Sequence, residues 1–292
     1  MKEITDFADI TKQMLLHYGL NPKKKFGQNF LINEDILDNI VDISDVSSED
    51  DVIEIGPGIG ALTAKLAKRA HKVLAVEIDH ELISVLSQTL ANYTNISILE
   101  SDILKVDFDE VIKRFGLNND HIKIVANLPY YITTPILLFL LKQKEVHFES
   151  ITVMVQKEVA ERMTSAPGNK DYGSLTLLIQ YYMNAELVLK VDKTYFMPQP
   201  KVDSAVVNLT KKSNFVRFNN ERSLFKVIRE CFNHRRKNLL NNLVNLTGKK
   251  NKMVLLQIFD EMNIDKNIRA EKLTLKQFMI LTDNLMKVNL LF

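Results

Sequence analysis

Cysteine is almost absent from this chain of 292 residues. Cys231 stands alone, which excludes an intramolecular disulfide and leaves no cysteine-based metal site. It falls beside Val227, Ile228 and Phe232 at helical spacing, the context of a buried thiol. The six histidines show no metal-ligand spacing, so no metal is expected. Long apolar runs are missing as well; Ile136 to Leu141 is far too short to cross a bilayer. The first residues mix Lys2, Glu3, Asp6 and Asp9 with their apolar neighbours and contain no signal-peptide core. A cytoplasmic protein without a membrane partner is therefore expected. Internal repeats and low-complexity tracts are also lacking. With 46% hydrophobic and 25% charged residues, the chain has the makeup of an ordinary globular protein. Its length suits one large domain, or a large one and a small one.

The net charge of +2 hides an uneven distribution. Residues 213–292 carry 15 basic and 7 acidic side chains, a net of +8, whereas residues 1–212 carry 23 and 29, a net of −6. A basic C-terminal part suits contact with a polyanion, and on charge alone it equally suits a helical appendage with a solvated basic face.

Apolar and polar positions alternate at helical spacing over 4–18, and Asn33 is placed to cap a helix reaching Ile43. Strands and helices then alternate. Strands are predicted at Asp51–Ile55, Lys72–Ile78, Ile96–Leu99, Ile122–Ala126 and Ile151–Val155. Helices are predicted at Ala61–Ala70, Glu81–Leu90, Pro135–Leu141 and Lys157–Met163, with Asp107, Asp109 and Glu110 starting a surface helix. Leu187–Val191 and Ala205–Leu209 suit a closing antiparallel pair. This order means a doubly wound, mainly parallel sheet. Beyond residue 212 the pattern is helical only, over 221–247, 251–262 and 273–288. The expected division is a catalytic domain over 1–212 and a small all-helical domain over 213–292.

In doubly wound sheets, ligands bind beyond the carboxyl ends of the strands. Four polar features fall there in succession: the turn Gly56-Pro57-Gly58-Ile59-Gly60, then Glu77, Asp102 and Asn127. A glycine-rich strand-to-helix turn lets the backbone approach a ligand closely. Glu77 stands 21 positions after Gly56, where a carboxylate accepts both hydroxyls of a ribose. Nicotinamide and S-adenosylmethionine cofactors both require these two features. Three others favour S-adenosylmethionine: Glu54 preceding the glycines, Asp102 where an adenine amine would be received, and Asn127-Leu128-Pro129-Tyr130. That tetrapeptide has no use in hydride transfer. It suits a clamp for a planar amine, with carbonyls accepting from an exocyclic NH2, a proline stiffening the turn and a ring stacking on the base.

Together these residues resemble the ribosomal RNA adenine N6-dimethyltransferases, of the bacterial type that acts on 16S RNA. The resemblance is carried by Phe26-Gly-Gln-Asn-Phe-Leu31, Glu54-Ile-Gly-Pro-Gly-Ile-Gly-Ala-Leu-Thr63, Val76-Glu-Ile-Asp79 and Ala126-Asn-Leu-Pro-Tyr-Tyr131. It continues through Gln156-Lys-Glu-Val-Ala160, Phe196-Met-Pro-Gln-Pro-Lys-Val-Asp-Ser204 and Phe232-Asn-His-Arg-Arg-Lys-Asn-Leu239, covering roughly residues 20 to 280. It implies a Rossmann-like class I methyltransferase sheet and S-adenosylmethionine as cofactor. The implied substrate is a pair of adjacent adenosines in the 3′-terminal hairpin of 16S rRNA, each dimethylated at N6 by a monomeric enzyme during small-subunit assembly. By motif position, Gln28, Asn29 and Leu31 would meet the cofactor from the N-terminal segment. Gly56 and Gly58 would lie under its methionine portion, Glu77 on its ribose and Asp102 on its adenine. Asn127 would border cofactor and target, with Leu128 supplying a carbonyl and Phe196 facing Tyr130 across a flipped base.

Lys23 and Lys24, with Arg235, Arg236 and Lys237 on a predicted helix, are the candidate RNA contacts. Tyr131 reads as a core aromatic. The alternatives are a large-subunit rRNA adenine methyltransferase of the antibiotic-resistance type and an RNA-binding assembly factor without activity.

Overall fold

The structure is a computed structural model and describes residues 7–143, 146, 148–213, 215 and 217–291. The chain divides into two compact units. The first runs to Ala160 and resumes over Ala185–Lys211; the second comprises Glu161–Asn184 and Lys212–Phe292.

The first unit opens with α1 (Phe7–His17), a short β1 (Phe30–Leu31) and α2 (Glu34–Ile43). The start expected at residue 4 lies outside the described residues. Asn33 caps α2 as expected, its side chain accepting from Ile36 N–H at 2.9 Å. Strands and helices then alternate: β2 (Asp51–Ile55), α3 (Ala61–Ala67), β3 (Lys72–Glu77), α4 (His80–Thr89), β4 (Ile96–Glu100), α5 (Phe108–Phe115), β5 (Ile122–Asn127), α6 (Thr133–Leu141), β6 (Ser150–Gln156) and α7 (Lys157–Met163). β2 is buried at every position. A strand covered by helices on both faces needs a continuous apolar run, which Val52, Ile53 and Ile55 supply.

The seven-stranded sheet has the order β4-β3-β2-β5-β6-β9-β7, where β7 is Met183–Val191 and β9 is Ser204–Lys211. The first five strands are parallel, and β9 runs antiparallel to β6. The chain winds outward from β2 to β4 and then returns to place β5 on the other side of β2. That reversal makes the β2–β5 gap the topological switch point, where the loops diverge and leave a crevice. β8 (Phe196–Met197) pairs with β1, bringing Phe196 opposite Leu31.

The second unit holds α8 (Ser174–Tyr182), α9 (Glu221–Asn233), α10 (Leu239–Thr247), α11 (Lys252–Glu261) and α12 (Leu275–Lys287). Tyr172, Leu177 and Tyr181 are buried in one cluster with Leu224, Cys231, Leu243, Phe259 and Phe278. The helical unit therefore begins well before residue 213, because 161–184 contributes to its core. The sequence pattern misses α8 for a physical reason. Leu175, Leu177, Leu178, Ile179 and Tyr181 are all buried, so the helix lacks a polar face to set its period.

The helix expected over 221–247 is two helices. Asn238 caps α10 by accepting from Asn241 N–H at 2.9 Å, and buried Asn242 donates to the Cys231 carbonyl at 2.8 Å. That amide satisfies a carbonyl at the end of α9, so the chain can turn there without leaving it orphaned. His234–Lys237 thus lies on a turn rather than on a helix.

Candidate active site

A cleft opens at the switch point. It is lined by Gly56, Gly58, Glu77, Asp102, Asn127, Leu128 and Tyr130 from the strand ends, and by Gln28, Asn29 and Leu31 from the N-terminal segment. Ten residues chosen as catalytic or cofactor-binding on the sequence thus meet in one place.

The glycine turn shapes its floor. Gly58 has φ +62°, and a Cβ there would lie 3.1 Å from the Phe30 ring. Its N–H faces Glu77 Oε2 at 3.4 Å. A Cβ at Gly56 would meet no protein atom within 4 Å, leaving bare backbone beside the cleft. Glu77 is 5% exposed, and its Oε1 accepts from Ile78 N–H and Asp79 N–H, both at 2.9 Å. Burial pushes its pKa up, and the Asp79 charge adds to this; the three backbone N–H groups work in the opposite direction.

Beneath it, Glu54 is 1% exposed, and its Oε2 has no hydrogen-bond partner in the protein. Burial pushes this carboxyl to about 8. The Thr63 hydroxyl beside it opposes the rise without completing a hydrogen bond, and the Glu77 charge adds to it. Asp102 accepts from Leu104 N–H at 3.0 Å, capping the short helical turn Ile103–Lys105.

Asn127 ends β5, and its Nδ2 donates to the Asn29 carbonyl at 3.3 Å. That contact fixes the amide's orientation and leaves Oδ1 to accept from a ligand. Leu128 N–H is anchored on the Met154 carbonyl at 3.1 Å. The Pro129 carbonyl receives Ile132 N–H at 3.2 Å and the Thr133 hydroxyl at 3.0 Å, closing a rigid turn. Tyr130 OH lies 2.6 Å from Ser204 Oγ, which holds the ring at the cleft; burial raises its pKa and the serine opposes.

Three expectations need correction. Phe196 is 3% exposed and packs with Leu31, Leu37 and Val206 in the core; it is absent from the cleft lining. Pairing opposite Leu31 turns both side chains to the same apolar side. Tyr131, read as a core aromatic, is 56% exposed and lines the cleft beside Gly27. Lys23 is not free for RNA: its Nζ pairs with Asp79 at 2.7 Å and Glu81 at 2.9 Å, and these bonds raise its pKa. The position of the Lys24 side chain lies outside what the structure describes. Of the other candidate RNA contacts, Arg235 donates to the Tyr172 carbonyl and lies over the Phe232 ring at 5.9 Å, while Arg236 and Lys237 are exposed on the turn.

Two residues not among the expected site residues, Ile78 and Ile103, also line the cleft beside Glu77 and Asp102. Ile78 is 46% exposed. An apolar residue directly after an acid at a strand's carboxyl end was the available signal. Away from the cleft, Asp50, His121 and Glu149 bring ligand atoms within 4.8 Å of one another, but Asp50 is already paired with Lys123 at 3.0 Å.

The cleft fits a nucleoside that carries a cation and an amine. It has bare backbone for close approach, the buried carboxylate of Glu77 at one strand end, the acid Asp102 after the next, and in Glu54 a buried carboxyl with one unsatisfied oxygen. A mainly parallel sheet with this cleft at its switch point, and Asn127-Leu128-Pro129-Tyr130 at the end of the adjoining strand, defines a methyltransferase that takes its methyl from S-adenosylmethionine. Residues 19–284 match the model of the ribosomal RNA adenine dimethylase family, and the chain belongs to that family.

It is 50% identical over 285 residues to "Ribosomal RNA small subunit methyltransferase A" of Lactiplantibacillus plantarum, covering 96% of each chain. Among solved structures it resembles a dimethyladenosine transferase from Plasmodium falciparum, with 28% identity and a TM-score of 0.74 over 89% of this chain and 98% of that one. It also resembles the 23S rRNA methyltransferase ErmE, with 26% identity and a TM-score of 0.67 over 88% and 100%.

Proposed function

We propose that this chain dimethylates N6 of two adjacent adenosines in the 3′-terminal hairpin of small-subunit (16S) rRNA during subunit assembly, acting as a cytoplasmic monomer. The observation that carries the reading is the Asn127 amide, oriented by Asn29 so that Oδ1 is left for a ligand amine. The name of the Lactiplantibacillus plantarum relative supports the small subunit as the source of that RNA.

S-adenosylmethionine supplies an electrophilic sulfonium methyl, so the protein's task is to position a poor nucleophile. Glu77 would hold the ribose, Asp102 the adenine, and Gly56 and Gly58 would admit the methionine portion. Gln28, Asn29 and Leu31 would form the facing wall. The target N6 would donate to Asn127 Oδ1 and the Leu128 carbonyl. Two acceptors below the amine favour a pyramidal nitrogen with its lone pair directed at the methyl. The turn is already held by Met154, Ile132 and Thr133, so little reorganisation is needed as charge develops. No tuned general base is required, because the methylated aminium is acidic enough to release its proton to water.

Flipping the adenine costs about a few kcal/mol, and stacking on Tyr130 recovers about 1–3 kcal/mol. After the first transfer one N6 hydrogen remains, so only one carbonyl is satisfied in the second round. After that none remains and the reaction stops. Arg236 and Lys237, with Arg235 steadied by Tyr172, would contact RNA phosphates from the second unit.

Two experiments test this reading. Asn127→Ala should abolish methyl transfer while cofactor affinity changes little; near-native turnover in that variant would refute the clamp. Labelled methyl transfer to unmethylated small subunits and large-subunit rRNA, in parallel, should give N6,N6-dimethyladenosine in the former alone. Label in the large-subunit RNA would instead place the enzyme with ErmE in substrate choice.

A further inference from the structure

Asp79 lies outside the cleft lining, yet it joins two of its walls. The residue is 4% exposed and caps α4. Its Oδ1 accepts from Lys23 Nζ at 2.7 Å and Glu81 N–H at 3.2 Å, and its Oδ2 accepts from Gln28 Nε2 at 2.8 Å. Gln28 closes the ring by accepting Lys23 N–H at 2.7 Å. Both ends of the Lys23–Gln28 turn are thus fastened to one carboxylate. On its backbone side, Asp79 N–H donates to Glu77 Oε1 at 2.9 Å. Burial opposes the negative charge of Asp79, but donation from Lys23, Gln28 and Glu81 N–H outweighs it and holds the carboxyl below its usual range.

The fastened segment is the wall that faces the glycine turn. Phe26 through Leu31 line the cleft continuously, and pairing of Phe30 and Leu31 with β8 anchors the far end of that wall. Among the described residues the near end has no such pairing; α1 stops at His17, and side-chain hydrogen bonds of the turn run to Asp79. Gln28 uses both ends of its amide in this ring, so it serves as a strut rather than as a free ligand group.

We infer that Asp79 is a positioning residue for cofactor binding, holding the Gln28–Leu31 wall at a fixed distance from the carboxylate of Glu77. This rests on the proposal that the cleft takes S-adenosylmethionine with Glu77 on its ribose. One residue sets both the orientation of the ribose acid and the place of the wall opposite. Loss of its charge releases the wall while the backbone N–H to Glu77 remains, and so weakens the cofactor complex without touching the reacting atoms.

The test is a double-mutant cycle on the full chain, with Asp79→Asn, Gln28→Ala and both together, read by calorimetric titration with S-adenosylmethionine. Each single variant should weaken binding about tenfold, since a hydrogen bond to a charged group is lost, and the double should be much less than the product because the two act through one contact. In Asp79→Asn the KM for the cofactor should rise while kcat at saturation stays within about twofold. Tryptic cleavage after Lys23–Lys25 should quicken, and protection by the cofactor should diminish. If Asp79→Asn fails to fold, the same cycle run on Lys23→Met and Gln28→Ala decides the question.

Effects that multiply independently, or a fall in kcat at unchanged KM, would overturn the inference. Glu77→Gln separates the two levels. If it loses the cofactor while Asp79→Asn binds as wild type, the positioning role is wrong and the cleft assignment stands. If Glu77→Gln also binds as wild type, the ribose assignment is wrong and the inference falls with it.

Discussion

Replacing Glu54 by Gln should stabilise the ligand-free protein above neutral pH, and the gain should grow with pH. The carboxyl is fully buried, one oxygen has no partner, and its pKa is about 8 against an ordinary 4.5. In the folded chain it keeps its proton up to about pH 8, whereas in the unfolded chain it releases it near 4.5. Below 4.5 both states are protonated and the site adds no pH dependence. Between the two values the folded state binds more protons, so stability falls as pH rises, at about 1.4 kcal/mol per pH unit. Above 8 both states are ionised and the loss levels off at about 5 kcal/mol, an order-of-magnitude figure for a fully buried group.

Glutamine keeps the shape but does not titrate. Its amide brings a constant, pH-independent cost of about 1–3 kcal/mol for an unpaired buried donor. Urea denaturation of wild type and Glu54→Gln at pH 5, 7 and 9, without cofactor, isolates the difference between the two chains. The variant should be equal or slightly weaker at pH 5 and more stable by several kcal/mol at pH 9. A difference that does not move between pH 5 and 9 would show that Glu54 is not the buried neutral acid described above.

Two further outcomes follow from the geometry. Gly58→Ala places a Cβ 3.1 Å from the Phe30 ring on a backbone at φ +62°, so stability should drop by about 1–2 kcal/mol and cofactor affinity should weaken. A thermal scan and a titration that both match wild type would contradict this. Arg236→Ala with Lys237→Ala should leave cofactor affinity unchanged and reduce the slope of log K against log salt for rRNA binding by about one per lost phosphate contact. An unaltered slope would remove the exposed turn from the RNA interface.

Much of this molecule is determined locally. β2, β3, β5 and β6 are legible because strands buried on both faces require continuous apolar runs, and the features at the carboxyl ends of β2 through β5 are Gly56, Glu77, Asp102 and Asn127. The cap at Asn33 and the glycine turn also act within a few residues of themselves, so they too are written in the chain. Convergence of these features on one cleft follows from the order of strands and helices, since a doubly wound sheet leaves its crevice where the winding reverses. What depends on contact between distant segments was decided only by the tertiary structure. Phe196 is buried because β8 pairs with β1; Tyr131 is exposed because the turn before α6 carries it to the cleft rim. α8 joined the helical core without a polar face to announce it, and α9 ended where Asn242, eleven residues away, captured the Cys231 carbonyl. Lys23 reads as a candidate RNA contact until Asp79, 56 residues on, claims its charge. A charge or a ring has no fixed role in the sequence until the fold supplies its partner.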